Sequence, residues 1–430
     1  MSETAVPRPH SNLRWWIALL LGFGILVNYI DRVALSVAQD PLHAEFGIGP
    51  AEFGILSSTF FWVYALCQIP IGVVLDRFGV LVIGRAGAFL WGFAALMTAL
   101  ASNFVMLNFA RGFLGIAEGP AFPANAKATS YWFPSRERGL ATSIFDAAAK
   151  FSNVIAVPLV SFIVFVAGWR GGFFFTAILS FVYFALFWIF YRNPSADKRL
   201  KRDEYNYIVK GGAQPEGAAA GSGATHLGYL LSRTKVWGLT IGFSAYGYLF
   251  GLLLTWLPGY LKNTFHTSLL GSAGYAAIPW FVATITDLVI GGWLVDYLIG
   301  RGMEPTRVRK TILIAGMVLG LAIIGAAHTT DINVAIVFVS IALGGVAFSA
   351  PVGWSIPGLI APKGSVGTIG GIMNCFNNLA NAAAPVATGL IVAKTGSFNL
   401  ALSTAGVVLA VGIVSYVFVL GRIEPIPDPA

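Results

Sequence analysis

Four charged side chains interrupt segments that otherwise read as membrane-spanning: Asp31 and Arg32 in NYIDR, and Arg111 and Glu118 in RGFLGIAEG. An ionised group at the centre of a bilayer costs roughly 2.5–3.5 kcal/mol on insertion scales. Such groups persist where they face a watery cavity or neutralise one another. Arg111 and Glu118 lie two helical turns apart and so share one face. Tyr29 and Arg32, three residues apart, share another. A guanidinium is a planar fork suited to a carboxylate, and a tyrosine hydroxyl can bond a sugar hydroxyl. Two acids and two bases at this depth point to a path for protons and an anion. The bland reading is a buried ion-pair network that only orients helices.

The elements that carry these groups follow from composition. The chain of 430 residues is 57% hydrophobic and 11% charged, against about 25% charged in a soluble protein. It therefore reads as an integral protein of the lipid bilayer. Its fifty glycines suit closely packed membrane helices. Apolar runs of about twenty residues predict helices and exclude a barrel of short alternating strands.

The net charge of +8 would fit nucleic acid were it clustered, but twenty of the 27 cations fall in the termini, alternate short loops and a central loop. The intervening loops carry Asp40, Glu45, Glu52 and Asp331. This is the positive-inside pattern, which predicts cytoplasmic termini and no nucleic-acid partner. Cys67 and Cys375 lie in opposite halves and imply no disulfide. No histidine falls mid-span, so no metal site, histidine relay or enzymatic nucleophile–base pair is expected. No cofactor is implied, and the absence of a GxxxxGK[ST] loop removes direct ATP drive. The apolar stretch after residue 14 is longer than a signal-peptide core and reads as a retained helix.

Periodicity predicts twelve spans, numbered here in order: 14–37, 52–75, 80–101, 104–128, 138–167, 170–192, 235–261, 271–299, 308–328, 332–359, 366–394 and 398–421. The division is 1–192 as an N-terminal six-helix bundle, 193–234 as a cytoplasmic central loop, and 235–430 as a C-terminal bundle with a short tail. The loop opens on SADKRLKRDEYNYIVK, read as an amphipathic surface helix, and continues as GGAQPEGAAAGSGAT, read as a flexible linker. An internal echo relates the halves. Gly72, Asp76 and Arg77 end span 2, while Gly292 and Asp296 end span 8, each glycine four residues before its acid. The glycine permits tight crossing and the carboxylate can meet a neighbouring helix N-terminus or an arginine. These five residues read as a conformational latch.

With these pieces in place the chain resembles the major facilitator superfamily, and within it the anion:cation symporters that include bacterial galactonate, hexuronate and glucarate transporters and vesicular glutamate transporters. The resemblance rests on NYIDR, WVYALCQIPIG, RGFLGIAEGPAFPA, WLPGYL, DLVIGGWLVD and IGGIMNCFNNLANAAAP, and it covers nearly the whole chain. It implies an all-α polytopic fold of twelve transmembrane helices in two pseudo-symmetric halves. It also implies that Asp31 and Glu118 take up protons, Arg32 grips the substrate carboxylate and Arg111 exchanges partners with the acids. Tyr29, Tyr64, Trp354 and Asn374 match positions that contact substrate. Read without the family, Tyr29, Tyr64 and Trp354 are equally ordinary packing or interfacial aromatics, and the amides of Asn374, Asn377 and Asn378 are equally cross-helix hydrogen bonds.

Two departures bear on substrate. Ala149 stands where galactonate- and glucarate-type carriers tend to have a glutamine, and Pro351 stands where a small polar residue is expected. Next to Ala149, Asp146 and Lys150 form an opposite-charge pair at i,i+4. Either they neutralise each other, or Lys150 faces the cavity and meets a second carboxylate. Asp287, with Thr284 and Thr286, is either further polar lining or structural. The expected protein is a monomeric importer of an organic anion with protons, in a bacterial inner membrane, working by alternating access. Rival readings are an organic-acid exchanger or exporter and a transport-dead nutrient sensor.

Overall fold

The computed structural model describes residues 11–48, 50–216, 227–266 and 269–428, and those residues contain helices and no strand. Nine helical segments among them are long and apolar enough to cross a membrane. Twelve crossings result once the two merged runs are divided and the two pieces of span 4 are joined. Span 1 is Leu13–Val37. Spans 2 and 3 form one run, Pro50–Ala99, turned back on itself at Gly79 (φ 78°). Spans 5 and 6 repeat this in Arg138–Phe190, with the reversal at Gly168 (φ 71°). Both reversals use left-handed backbone that a β-carbon would strain.

Span 4 is split into Phe104–Glu118 and Ala121–Trp132. The break has a cause in sequence: Pro120 and Pro123 lack the N–H groups that would continue the ladder. The carbonyl of Gly119, deprived of its partner at Pro123, accepts instead from Gln68 Nε2 at 3.2 Å. Glu118 is thereby left at a helix end inside the protein.

In the second half, span 7 is Thr234–Phe265 and span 11 is Val366–Thr395. Span 9 comprises Pro305–Gly320 and Ile323–His328, and span 10 comprises Ile332–Ser355 and Pro357–Ile360. Span 12 is Asn399–Val414, closing in a π-helical turn Ser415–Val419. Span 8 also changes pitch: α-helix Leu269–Thr286, π-helix Asp287–Leu294, then α-helix Val295–Gly300. Large apolar side chains such as Val105, Phe162, Phe165 and Phe418 stand exposed, as a lipid-facing surface requires.

The central segment departs from expectation. A helix does form, at Arg202–Lys210, but it docks on protein rather than membrane. Glu204 is fully buried and accepts from the backbone N–H groups of Leu13 (3.1 Å) and Arg14 (3.2 Å) and from Arg14 Nη1 (2.8 Å). It caps span 1, whose own N-cap Asn12 makes no side-chain bond. The start of the expected flexible linker is also tied down. Gln214 N donates to the Ser130 carbonyl at 2.9 Å, and Gln214 Nε2 to the Gly358 carbonyl at 3.1 Å. The rest of that linker, 217–225, lies outside the described residues. At the tail, Ile426 N donates to the Ile360 carbonyl at 2.8 Å, so the start of span 1, the described tail and the central segment share one membrane face, called here the chain-end face.

On the opposite face Glu45, in the short helix Gln39–Phe46, accepts from Trp169 Nε1 and Arg170 Nη1, each at 2.7 Å. Trp169, then Arg170, hold its carboxyl below the usual range.

Candidate functional site

The four charges of the opening motif converge in the N-terminal half, on spans 1 and 4. Asp31, Arg111 and Glu118 are buried. Arg32 Nε meets Glu118 Oε2 at 3.0 Å. The Arg32 guanidinium lies against three rings, Tyr29 at 4.7 Å, Phe60 at 4.9 Å and Tyr64 at 4.9 Å. The Arg111 guanidinium also lies against Phe60, 5.1 Å from its centroid. The expected partnership between Arg111 and the acids is therefore not made here: Arg32 holds Glu118, and Arg111 Nε and Nη1 are buried without a hydrogen-bond partner among the described residues. Arg32 Nη2 and Glu118 Oε1 are unpartnered in the same way. Asp31 accepts from Ser180 Oγ at 3.3 Å, and Ser180 in turn accepts from Trp91 Nε1.

A polar chain leads from this cluster into the other half. Asn374 Nδ2 on span 11 donates to Tyr64 Oη at 3.2 Å and to Gln68 Oε1 at 2.9 Å. Asn378 Nδ2 donates to Asn374 Oδ1 at 2.9 Å. Trp354 on span 10 stacks on Phe122 of the N-terminal half, with centroids 5.1 Å apart, while Phe122 also meets Tyr29 edge-on at 6.2 Å. Thus Tyr29, Phe60 and Tyr64 lie against Arg32, Asn374 connects to it through Tyr64 beside Gln68, and Trp354 connects through Phe122 and Tyr29. Sequence reading passed over Gln68, Phe60 and Phe122. Gln68 carried a signal, a lone amide in an apolar span one turn from Tyr64; the phenylalanines carried none.

Lys150 makes no bond to that cluster among the described residues, though Tyr29 lies between the two. The ammonium bonds Asp146 on its own helix and Asp287 Oδ2 on span 8 at 2.7 Å, and all three residues are buried. Both expected alternatives for Lys150 are incomplete: Asp146 does pair with it, but a second carboxylate also arrives, supplied by the protein. In this conformation Lys150 has no room in its charge balance for a ligand anion.

Asp76 and Asp296 each meet a helix N-terminus. Asp76 accepts from Gly367 N (2.8 Å), Thr368 N (2.6 Å) and Thr368 Oγ1 (2.7 Å) at the start of span 11. Asp296 accepts from Gly139 N (3.0 Å) and Leu140 N (2.7 Å) at the start of span 5. Neither helix has a side-chain cap of its own, so each half caps a helix of the other. A β-carbon on Gly72 would stand 2.4 Å from the Gly367 carbonyl oxygen, and one on Gly292 would stand 2.5 Å from Ser143 Oγ. Arg77 departs from expectation. It is exposed, its ring contact is with adjacent Phe78 at 5.4 Å, and the cation beside Asp76 is Lys127.

The π-helix explains how span 8 serves both contacts. Asp287 and Asp296 both face span 5, though nine residues of regular α-helix, about two and a half turns, would set them on opposite faces. In a π-helix the repeat is i→i+5, which aligns Asp287 with Gly292, and Gly292 then leads to Asp296 one α-turn on.

Two six-helix halves that enclose buried charges and meet through mutual caps define a multi-pass membrane transporter. Residues 21–385 match the Major Facilitator Superfamily, and the chain belongs to that family. Over 427 residues it is 43% identical to the "Uncharacterized transporter YybO" of Bacillus subtilis, covering 99% of this chain and 98% of that one. Over 425 residues it is 33% identical to the "Probable galactarate/D-glucarate transporter GarP" of Escherichia coli K12, covering 96% and 95%. The proton:xylose symporter XylE shares the fold, with a TM-score of 0.76 at 17% identity over 96% of each chain.

Proposed function

We propose that this transporter is a proton symporter that imports an organic anion, a sugar acid or related dicarboxylate, across a bacterial inner membrane. It works as a monomer with both chain ends in the cytoplasm, and its halves, 1–192 and 235–430, rock about the loop 193–234. The observation that carries the reading is the pair of guanidiniums with buried, unpartnered nitrogens, beside two buried acids. An N–H donor without an acceptor in a low-dielectric interior is costly, and carboxylate oxygens are the acceptors its fork fits.

Charge balance supplies the coupling. With Asp31 and Glu118 ionised, the cluster is neutral and Arg32 is occupied by Glu118. Protons on both acids release Arg32 and leave two guanidiniums uncompensated, a match for two carboxylates. The anion then enters with the protons that freed its site. Tyr29, Tyr64, Trp354 and Asn374 line the same space and offer ring faces, a hydroxyl and an amide to a hydroxylated chain. The named specificity of the galactarate/D-glucarate relative supports this substrate class.

The test is accumulation of labelled D-glucarate by proteoliposomes under an imposed proton gradient. Asp31→Asn and Glu118→Gln are expected to abolish accumulation while at least one retains counterflow. Undiminished gradient-driven accumulation by both variants would remove the assignment. Uptake that runs only against a second organic acid, whatever the gradient, would make the protein an exchanger.

A further inference from the structure

The triad of Asp146, Lys150 and Asp287 plays no part in that scheme, and its charges do not cancel. Two carboxylates meet one ammonium, all three side chains are buried, and Asp287 Oδ1 has no hydrogen-bond partner among the described residues. Both carboxylates bond the one ammonium, Asp287 Oδ2 at 2.7 Å, which holds them side by side. The other titratable groups facing the triad are Tyr246 of span 7, whose ring lies 5.8 Å from Lys150 Nζ, and Tyr29 of span 1. Span 10 presents Phe348 and Pro351 to this stretch of span 8. Among the described residues no second cation bonds either carboxylate, and an uncompensated charge buried in a low-dielectric interior is not retained.

We propose that the triad is a further proton-binding site of the transporter, one that exists only while spans 5 and 8 are closed on each other. The missing partner of Asp287 Oδ1 is the second carboxylate, reached through one shared proton. An O–H bond forms on one carboxyl with a proton from water on the face opposite the chain ends, and the pair titrates as a unit. Asp146 and Lys150 ride on one half and Asp287 on the other. When the chain-end face opens, Asp146 and Lys150 remain a neutral pair, while Asp287 is left alone in a watery passage. Its O–H bond breaks there and the proton leaves to water at the chain-end face. The cycle thus carries one proton in the same direction as the anion. The inference rests on the rocking of the halves but not on the roles given to Asp31 and Glu118.

The sign of the linkage makes it testable without substrate. Because the closed state holds one proton more than the open state, acid favours closure, by about tenfold in the closed-to-open ratio per pH unit within the titrating window. Spin labels on Phe78→Cys and Met303→Cys, exposed sites on opposite halves, report that ratio as a distance distribution in nanodiscs. Cys67 and Cys375 are replaced by serine, and Asp31→Asn with Glu118→Gln silences the other two acids. In this background the slope is expected to persist. Adding Asp287→Asn should abolish it and hold the chain closed at every pH. Adding Asp146→Asn should also flatten it, because Lys150 and Asp287 then balance. A ratio independent of pH in the background chain, a slope of opposite sign, or a slope that survives either added substitution would overturn the proposal. Should Asp287→Asn fail to fold, Asp146→Asn decides, since it leaves a neutral pair. No substrate is used, so failed D-glucarate accumulation and a failed pH slope identify different errors.

Discussion

Arg32 is held on three sides by aromatic rings and on the fourth by Glu118, a setting that fixes the plane of its fork. Arg32→Lys keeps the charge but loses bidentate geometry and ring stacking. Loss of one charge-assisted hydrogen bond, roughly 1.5–3 kcal/mol, corresponds to an affinity about ten- to a hundredfold weaker. Calorimetric titration with D-glucarate measures it, and unchanged affinity would make Arg32 structural. Arg111→Lys should disturb coupling more than affinity, seen as accumulation lost with counterflow retained. The identities of these residues were legible in the sequence, because a charge within an apolar run is conspicuous. Their pairing was not. Spacing relates Arg111 to Glu118 on one helix but says nothing of which arginine on a neighbouring helix reaches the acid first.

At the scale of elements, the start of span 5 is capped by Asp296 and the start of span 11 by Asp76, each from the opposite half. Separating the halves on this face uncaps both helices. A cap is worth typically about 1 kcal/mol, so Asp76→Ala and Asp296→Ala should each shift the equilibrium several-fold toward the open state. The effects should add, the sites being remote from each other; the same label pair reads them. Gly72→Ala should act in that direction more strongly, because its methyl meets backbone and overpacking costs roughly 1–3 kcal/mol. The Gly-to-Asp echo was readable as spacing. What escaped was the π-helix, since Asp287 reads as an isolated polar residue until the wider turns carry it round to span 5. Deleting Val289 would convert those turns to α-helix and swing Asp287 from Lys150 by about 100°, while Asp296 keeps its place. The pH slope should vanish with the caps intact.

For the molecule as a whole, twelve crossings in two halves followed from hydropathy and charge alone. Gly211 and Gly212 suggest slack at the start of the central linker, whereas contacts hold its described part in place. Residue Gln214 joins Ser130 of the first half to Gly358 of the second, and Arg138 Nη1 donates to that same Gly358 carbonyl at 2.9 Å. Opening this face must unseat the strap. Its amides then become a clock for the transport cycle: deuterium should enter residues 211–216 in proportion to the time the chain-end face stands open. Carriers held shut by Asp287→Asn should label slowly there, and those pried open by Gly72→Ala quickly. Turnover could be followed by mass spectrometry with no probe attached.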